Sequence, residues 1–228
     1  MDAESWPLFA IEIRTPRLTL RLPTDDDLPG LARAATSQIH DDGPFPFLIP
    51  WTLAPADQIG PGTMQFIWRC RGEFTADNFT LPFVAFRDGE AIGIQSIEAN
   101  DFARLQRLRT GSWLVRDHQG LGLGKEMRSA VVQFGFDQLD AAMITSSARV
   151  TNTASLAVSR AVGYVDNGVV PTLWGDGSVG EEQQLRLDRA RWSTVRRTAP
   201  WAQGIRVEGF DRCRSMFTPQ VTPSADSG

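Results

Sequence analysis

Gln119-Gly-Leu-Gly-Leu-Gly-Lys125 decides how this chain is read. The run follows an apolar, strand-like stretch, Thr110-Gly-Ser-Trp-Leu-Val-Arg116, and opens an amphipathic segment from Leu123 to about Leu139. Glycines let a backbone turn tightly and bring its N–H groups close to a ligand. The start of a helix adds unpaired N–H groups and the positive end of a dipole. Strand, glycine loop and helix in that order form a site for a phosphorylated ligand.

Two phosphate patterns fail on the residues. The dinucleotide fingerprint G-x-G-x-x-G ends at Lys125 when begun from Gly120 and Gly122, and at Met127 when begun from Gly122 and Gly124. A Walker A loop matches Gly124-Lys125, but Glu126 stands where the Mg²⁺-binding hydroxyl is needed and Gln119 where the first glycine is needed. A P-loop nucleotide hydrolase is correspondingly disfavoured.

Gln119-x-x-Gly122-x-Gly124 resembles the Q/R-x-x-G-x-G/A signature of the GNAT acetyltransferase superfamily. Asn152-Thr-Ala-Ser155-Leu-Ala-Val-Ser-Arg160-Ala-Val-Gly163-Tyr164 is similar to the second coenzyme motif of that superfamily. Near the start, Ile13-Arg-Thr-Pro-Arg-Leu-Thr-Leu-Arg-Leu-Pro-Thr24 resembles the opening strand of the branch related to ribosomal-protein N-terminal acetyltransferases. The resemblance spans about residues 11 to 190. It implies an α/β (α+β) fold, with a mixed, mostly antiparallel sheet flanked by helices and a splayed strand pair for the coenzyme.

Composition agrees with one globular domain: 228 residues, 42% hydrophobic and 22% charged. A net charge of -4 leaves no broad basic surface for nucleic acid. Cys70 and Cys213 form neither a disulfide framework nor a metal pattern, so no metal is expected. No basic-plus-apolar leader and no bilayer-length apolar run is legible, and a cytoplasmic, non-membrane protein, monomer or homodimer, is the expectation. The seven tryptophans suit core and pocket walls.

Alternation over residues 17–22 reads as a half-buried strand. Thr24, followed by Asp25, Asp26 and Asp27, caps a helix predicted to reach about Ile39. The segment from His40 to Pro50 is a proline-punctuated loop, whose apolar part at residues 44–50 suits an acceptor wall. A helix over about 63–71 carries Met64, Ile67 and Trp68 on one face. Strands follow at 81–86 and 91–99 around an Asp-Gly hairpin turn, then at 105–115, 142–150 and 183–187. Residues 1–192 are expected to form a single acetyltransferase domain. Residues 193–228 form a C-terminal extension, with a short strand or helix over 207–217 and a frayed, Pro/Ser/Thr-rich end.

The resemblance implies acetyl-CoA as co-substrate. Its pyrophosphate would sit on the main chain of Gln119, Gly120, Leu121, Gly122, Leu123, Gly124 and Lys125. Its pantetheine arm would pair with Trp113, Leu114 and Val115. Asn152 suits both a helix N-cap and a contact to the arm, and Ser155 offers a hydroxyl near the sulfur. Arg160 and Lys125 suit either a coenzyme phosphate or a solvated helix face. The superfamily's tyrosine acid is absent, with Ser159 at its place. Its strand glutamate is absent too, with Arg109 and Thr110 at the matching positions. Replacement candidates for catalysis or acceptor contact are Glu98 and Asp101, with Ser155 beside the sulfur; His40, Asp41, Asp42 and His118 border the same region. The expected function is direct N-acetyl transfer to the amine of a protein N-terminus or a small molecule. The alternative is a non-catalytic acyl-CoA-binding or sensing domain, motivated by the missing Tyr and Glu.

Overall fold

Alternating burial marks strands such as residues 107–114 and 143–149, whereas the central hairpin at 79–99 is buried on both faces, and the computed structural model describes residues 2–40 and 45–218. The strands are β1 (Glu12–Arg14), β2 (Thr19–Arg21), β3 (Phe79–Arg87), β4 (Glu90–Ala99), β5 (Arg107–Leu114), β6 (Met143–Arg149), β7 (Val165–Leu173), β8 (Val179–Asp188) and β9 (Arg206–Glu208). The helices are α1 (Leu28–Thr36), α2 (Ala56–Gly72), α3 (Phe102–Leu105), α4 (Leu123–Asp137), α5 (Thr153–Val162) and α6 (Arg189–Val195). All nine strands join one sheet in the order β7-β8-β6-β5-β4-β3-β2-β1-β9. Every pairing is antiparallel except that of β5 with β6. The expected mixed, mostly antiparallel sheet with flanking helices is therefore what the chain forms.

The helices divide between the two faces. On one, Met127, Ala130, Val131 and Phe134 of α4 and Leu156 of α5 join the core with Ile97, Leu108, Ile144 and Leu185. On the other, Leu28, Leu31 and Ile67 of α1 and α2 cover Val84, Phe86 and Ile94. Burial of such side chains contributes roughly 1.5–3 kcal/mol each. Asp88 and Gly89 both take positive φ at the β3–β4 turn, as a two-residue hairpin requires.

Several boundaries differ from the sequence expectation. The helix predicted over 24–39 is a 3₁₀ turn at Asp25–Asp27 followed by α1, which ends at Thr36. The capping role of Thr24 holds, because the Asp27 carboxylate accepts from both its N–H and its hydroxyl. Helix α2 begins seven residues before the predicted start at Thr63 and runs through Pro61. Tertiary contact outweighs the proline there: a Cβ on Gly60 would meet Ala32 of α1 at 3.4 Å. Trp68 is exposed rather than inward, its indole N–H donating to Asp25. Beyond α6, β9 pairs with β1 and Phe210 packs edge-on to Phe134 of α4 at 5.5 Å. Among the described residues no helix is long and apolar enough to cross a membrane.

Candidate functional site

The site begins where two strands part. β5 and β6 pair only at Arg107↔Met143, Leu108↔Ile144 and Arg109↔Thr145. Beyond these, β5 stays with β4 up to Leu114↔Gly93, while β6 stays with β8 up to Arg149↔Glu182. Residues 110–114 and 146–149 thus line a fork, each with one edge lacking a strand partner. Because the strands are parallel, α4 and α5, which follow them, both start at the open end of the fork.

The glycine loop closes that end. Gly120 and Gly122 have φ of +73° and +79°, values that side chains other than glycine adopt with strain. Among the described residues the amides of 120–124 have no hydrogen-bond acceptor, whereas Lys125 and Glu126 donate back to the Gly122 carbonyl. These are the unpaired donors of a helix start, and left-handed residues alternating with others are the backbone pattern from which anion-binding concavities are made. The Gln119 side chain is spent locally, donating to the carbonyls of Ile39 and Leu114 at 2.6 and 2.7 Å. Lys125 lies over the Trp201 ring at 4.7 Å, so the C-terminal segment braces the loop.

Glu126, the residue that spoils a Walker motif, is a latch. Its buried carboxylate accepts from the Thr15 hydroxyl and from the Arg17 main chain and guanidinium, at 2.6, 2.9 and 2.7 Å. Arg17 also donates to the Leu121 carbonyl at 2.9 Å. The opening strand is thereby tied to the loop.

In the stretch expected to pair with the arm, the Val115 N–H is committed to Ile92 of β4 at 2.9 Å. Strand alternation then turns the main chain of Leu114 the other way, toward the fork. Gly93 permits this arrangement, since a Cβ there would lie 2.3 Å from the Trp113 carbonyl oxygen. On α5, the Asn152 side chain caps the helix by accepting from the Ser155 N–H at 3.0 Å. Ser155 is half-buried at the same helix start. Arg160 is exposed and paired with Asp166.

Beneath the fork, on the α4 face, lies Arg128, which sequence reading passed over. It is 3% exposed and donates to Gln95 of β4, Ser112 of β5, Ser146 of β6 and Ser159 of α5 at 3.0, 2.9, 3.1 and 3.2 Å. Burial pushes its pKa down, opposed by the Tyr164 phenol beside it. Burial likewise pushes Tyr164 up, and its hydroxyl lies 3.1 Å from Thr110. The available signal was weak, an arginine next to the apolar stripe of an amphipathic helix, beside Met127 and before Ala130 and Val131.

The opposite face of the sheet holds a cavity of about 440 Å³. Glu98 of β4, Arg109 of β5, Ser147 of β6 and Glu182 and Gln184 of β8 line it. The buried Glu182 carboxylate accepts from Ser147, Gln184 and Thr172 at 2.6, 2.7 and 3.3 Å. Glu98 accepts from Ser96 at 2.9 Å. Neither carboxylate forms an ion pair among the described residues. Glu182 was missed because its strand alternates weakly and its neighbours in space come from four other strands, β4 to β7. Leu48 also borders the cavity, and Phe45, Phe47, Trp51 and Trp113 continue beside it in ring contacts of 5.4–5.7 Å.

Asp101 caps α3 in a left-handed conformation and is not among the cavity's lining residues. His40 packs edge-on to Phe45 and Phe47, and His118 keeps a buried Nδ1 without a hydrogen-bond partner. Asp41 and Asp42 lie outside the described residues. Burial pushes the Cys70 thiol to about 12 and the Cys213 thiol to about 11, so neither supplies a thiolate nucleophile at neutral pH.

A forked strand pair, an anion-binding loop between strand and helix, and a polar cavity on the far face define a transferase for an acyl group on a phosphorylated carrier. A profile of the acetyltransferase (GNAT) domain matches residues 17–165, and the chain belongs to that family. Among solved structures, Mycobacterium smegmatis RimJ in complex with CoA-disulfide is similar at 17% identity, with 92% of this chain and 95% of that one covered and a TM-score of 0.64. RimL, the ribosomal L7/L12 alpha-N-protein acetyltransferase in complex with coenzyme A, is similar at 18% identity, over 76% and 95% of the two chains, with a TM-score of 0.59. The microcin C7 self-immunity acetyltransferase MccE, in complex with acetyl-CoA and AMP, is similar at 16%, over 76% and 93%, also with a TM-score of 0.59.

Proposed function

We propose that this acetyltransferase uses acetyl-CoA to acetylate a primary amine, with the α-amine of a protein N-terminus as the favoured acceptor. One observation carries the reading: the fork lies between a loop of amides without acceptors and a cavity whose carboxylates form no ion pair, both among the described residues. The residues fit the coenzyme. Amides 120–124 would hold the pyrophosphate, Lys125 would add charge, and the open edge of β5 before Val115 would pair with the arm, the Leu114 carbonyl being held by Gln119. Asn152 and Ser155 would stand at its other side, and Arg160 is held back by Asp166. The kinship with RimL favours a protein acceptor, and a cavity of about 440 Å³ has room for a few residues of an extended peptide.

The chemistry follows from the two faces. An ammonium group is drawn between Glu98 and Glu182, and a carboxylate takes its proton directly or through water. The freed amine attacks the thioester carbonyl across the fork; the C–N bond forms, the nitrogen gives its surplus proton to water, the C–S bond breaks, and the sulfur leaves as thiolate. Holding both reactants at one opening makes the step effectively unimolecular. Asp101 has no place in this scheme.

Residues 1–192 would then be the transferase proper, with 193–218 a brace on the loop through Trp201. Calorimetry with acetyl-CoA, followed by thiol release with a panel of N-terminal peptides and small amines, tests the proposal. Binding with peptide-dependent release is expected. Release only with small amines would move the acceptor class, and binding with no turnover on any amine would favour a coenzyme sensor.

A further inference from the structure

Arg128 presents a problem that the coenzyme site solves. A buried cation without a counter-ion costs several kcal/mol of desolvation. A guanidinium does not escape that cost by losing its proton. Its acceptors, Gln95, Ser112, Ser146 and Ser159, are all neutral, and none of its hydrogen bonds among the described residues reaches a carboxylate. An apolar side chain in this position would pack against the sheet without the penalty. Yet the fan of donors reaches both free edges: Ser112 on β5, and Ser146, the first residue of β6 after its pairing with β5 ends at Thr145. The charge therefore sits at the apex of the fork.

We propose that Arg128 is a positioning residue that holds the fork open and supplies the positive potential that stabilises the departing coenzyme A thiolate. The inference rests on the coenzyme reading above. In the transfer step the electron pair of the broken C–S bond goes to sulfur, and negative charge appears where the arm ends in the fork. The missing counter-ion of Arg128 is then the product itself, and the thiolate takes a proton from solvent on release. An interaction with an ion that forms only during reaction lowers the barrier rather than tightening ground-state binding.

The groups facing Arg128 do not substitute for it. Tyr164 is a buried phenol whose pKa burial raises. On α4 itself, Glu126 is neutralised by Arg17, and Lys125 is held over Trp201. Glu98 lies on the other face of the sheet.

The test titrates the thiol of coenzyme A bound to the full chain, by thiolate ultraviolet absorbance across pH 6–10. Cys70 and Cys213, raised to about 12 and about 11, stay silent over most of that range. The bound thiol is expected to ionise about one pH unit or more below free coenzyme A, a tenfold gain in thiolate at a given pH. In Arg128→Met the shift should vanish, while Arg128→Lys, which keeps the charge but not the fan, should retain part of it. A bound thiol that titrates at or above the free value in the unmodified protein overturns the proposal and leaves the coenzyme reading standing. Coenzyme that fails to bind in calorimetry removes both. Should Arg128→Met not fold, the unmodified protein and Arg128→Lys still decide.

Discussion

The two faces of the fork are built differently. On the α4 face a cation lies buried among three neutral hydroxyls and an amide, beside a loop of open amides. On the other face, Glu98 and Glu182 share a polar cavity with Arg107 and Arg109, and neither carboxylate forms an ion pair among the described residues. The difference teaches that charged groups gather at the fork although the superfamily's tyrosine and strand glutamate are missing, and that they come from elements far apart in sequence.

The comparison can be broken most directly on the acceptor side. Replacing both Glu98 and Glu182 by Gln should reduce kcat/KM by about 100-fold to 10,000-fold while leaving coenzyme affinity within about threefold. Steady-state kinetics paired with calorimetry reads both, and full turnover in the double variant would dismiss the carboxylates. On the coenzyme side, Gly122→Val places a β-branched residue at φ +79°. Strain of order 1–3 kcal/mol should loosen the loop and weaken acetyl-CoA binding by about 10–100-fold. Unchanged affinity would move the pyrophosphate elsewhere.

Two smaller effects sharpen the contrast between site and scaffold. Glu126→Gln keeps the shape of the latch but removes its charge, and should lower stability by about 1–2 kcal/mol, since Arg17 is partly in solvent. A denaturant midpoint measures this. The smallest effect concerns Asp27. Burial alone would raise its carboxyl, but donors from Arg21 and Thr24 hold it below the usual range. A depressed folded-state pKa gives stability that is complete above the unfolded value and lost as pH falls through the folded one. Asp27→Asn should therefore flatten the acid limb below about pH 4 and lower stability at pH 7, while turnover at neutral pH stays unchanged. An acid limb identical to that of the unmodified protein would show that the carboxylate contributes nothing.

Local signals described the backbone of the glycine loop and the two helix starts well. Gly120 and Gly122 do take positive φ, the helix opens at Leu123, and Asn152 caps α5, because glycine conformation, capping and helical periodicity act over a few residues. The same logic erred where packing overrides propensity, as at Pro61 inside α2, and where a boundary depends on the next element, as at the end of α1. Gln119 illustrates a subtler limit. Its place in the motif was legible, but only the fold shows its side chain holding the carbonyls of Ile39 and Leu114.

By itself the sequence determined the order of strand, loop and helix, and with it the kind of carrier the chain can hold. A cradle of main-chain amides needs only neighbouring residues. Tertiary structure alone decided the rest: that β6 leaves β5 after Thr145, that Arg128 spans the gap, and that Glu182 meets Glu98 at one cavity. Charges act through space, and strands separated by dozens of residues become neighbours only when the sheet has formed.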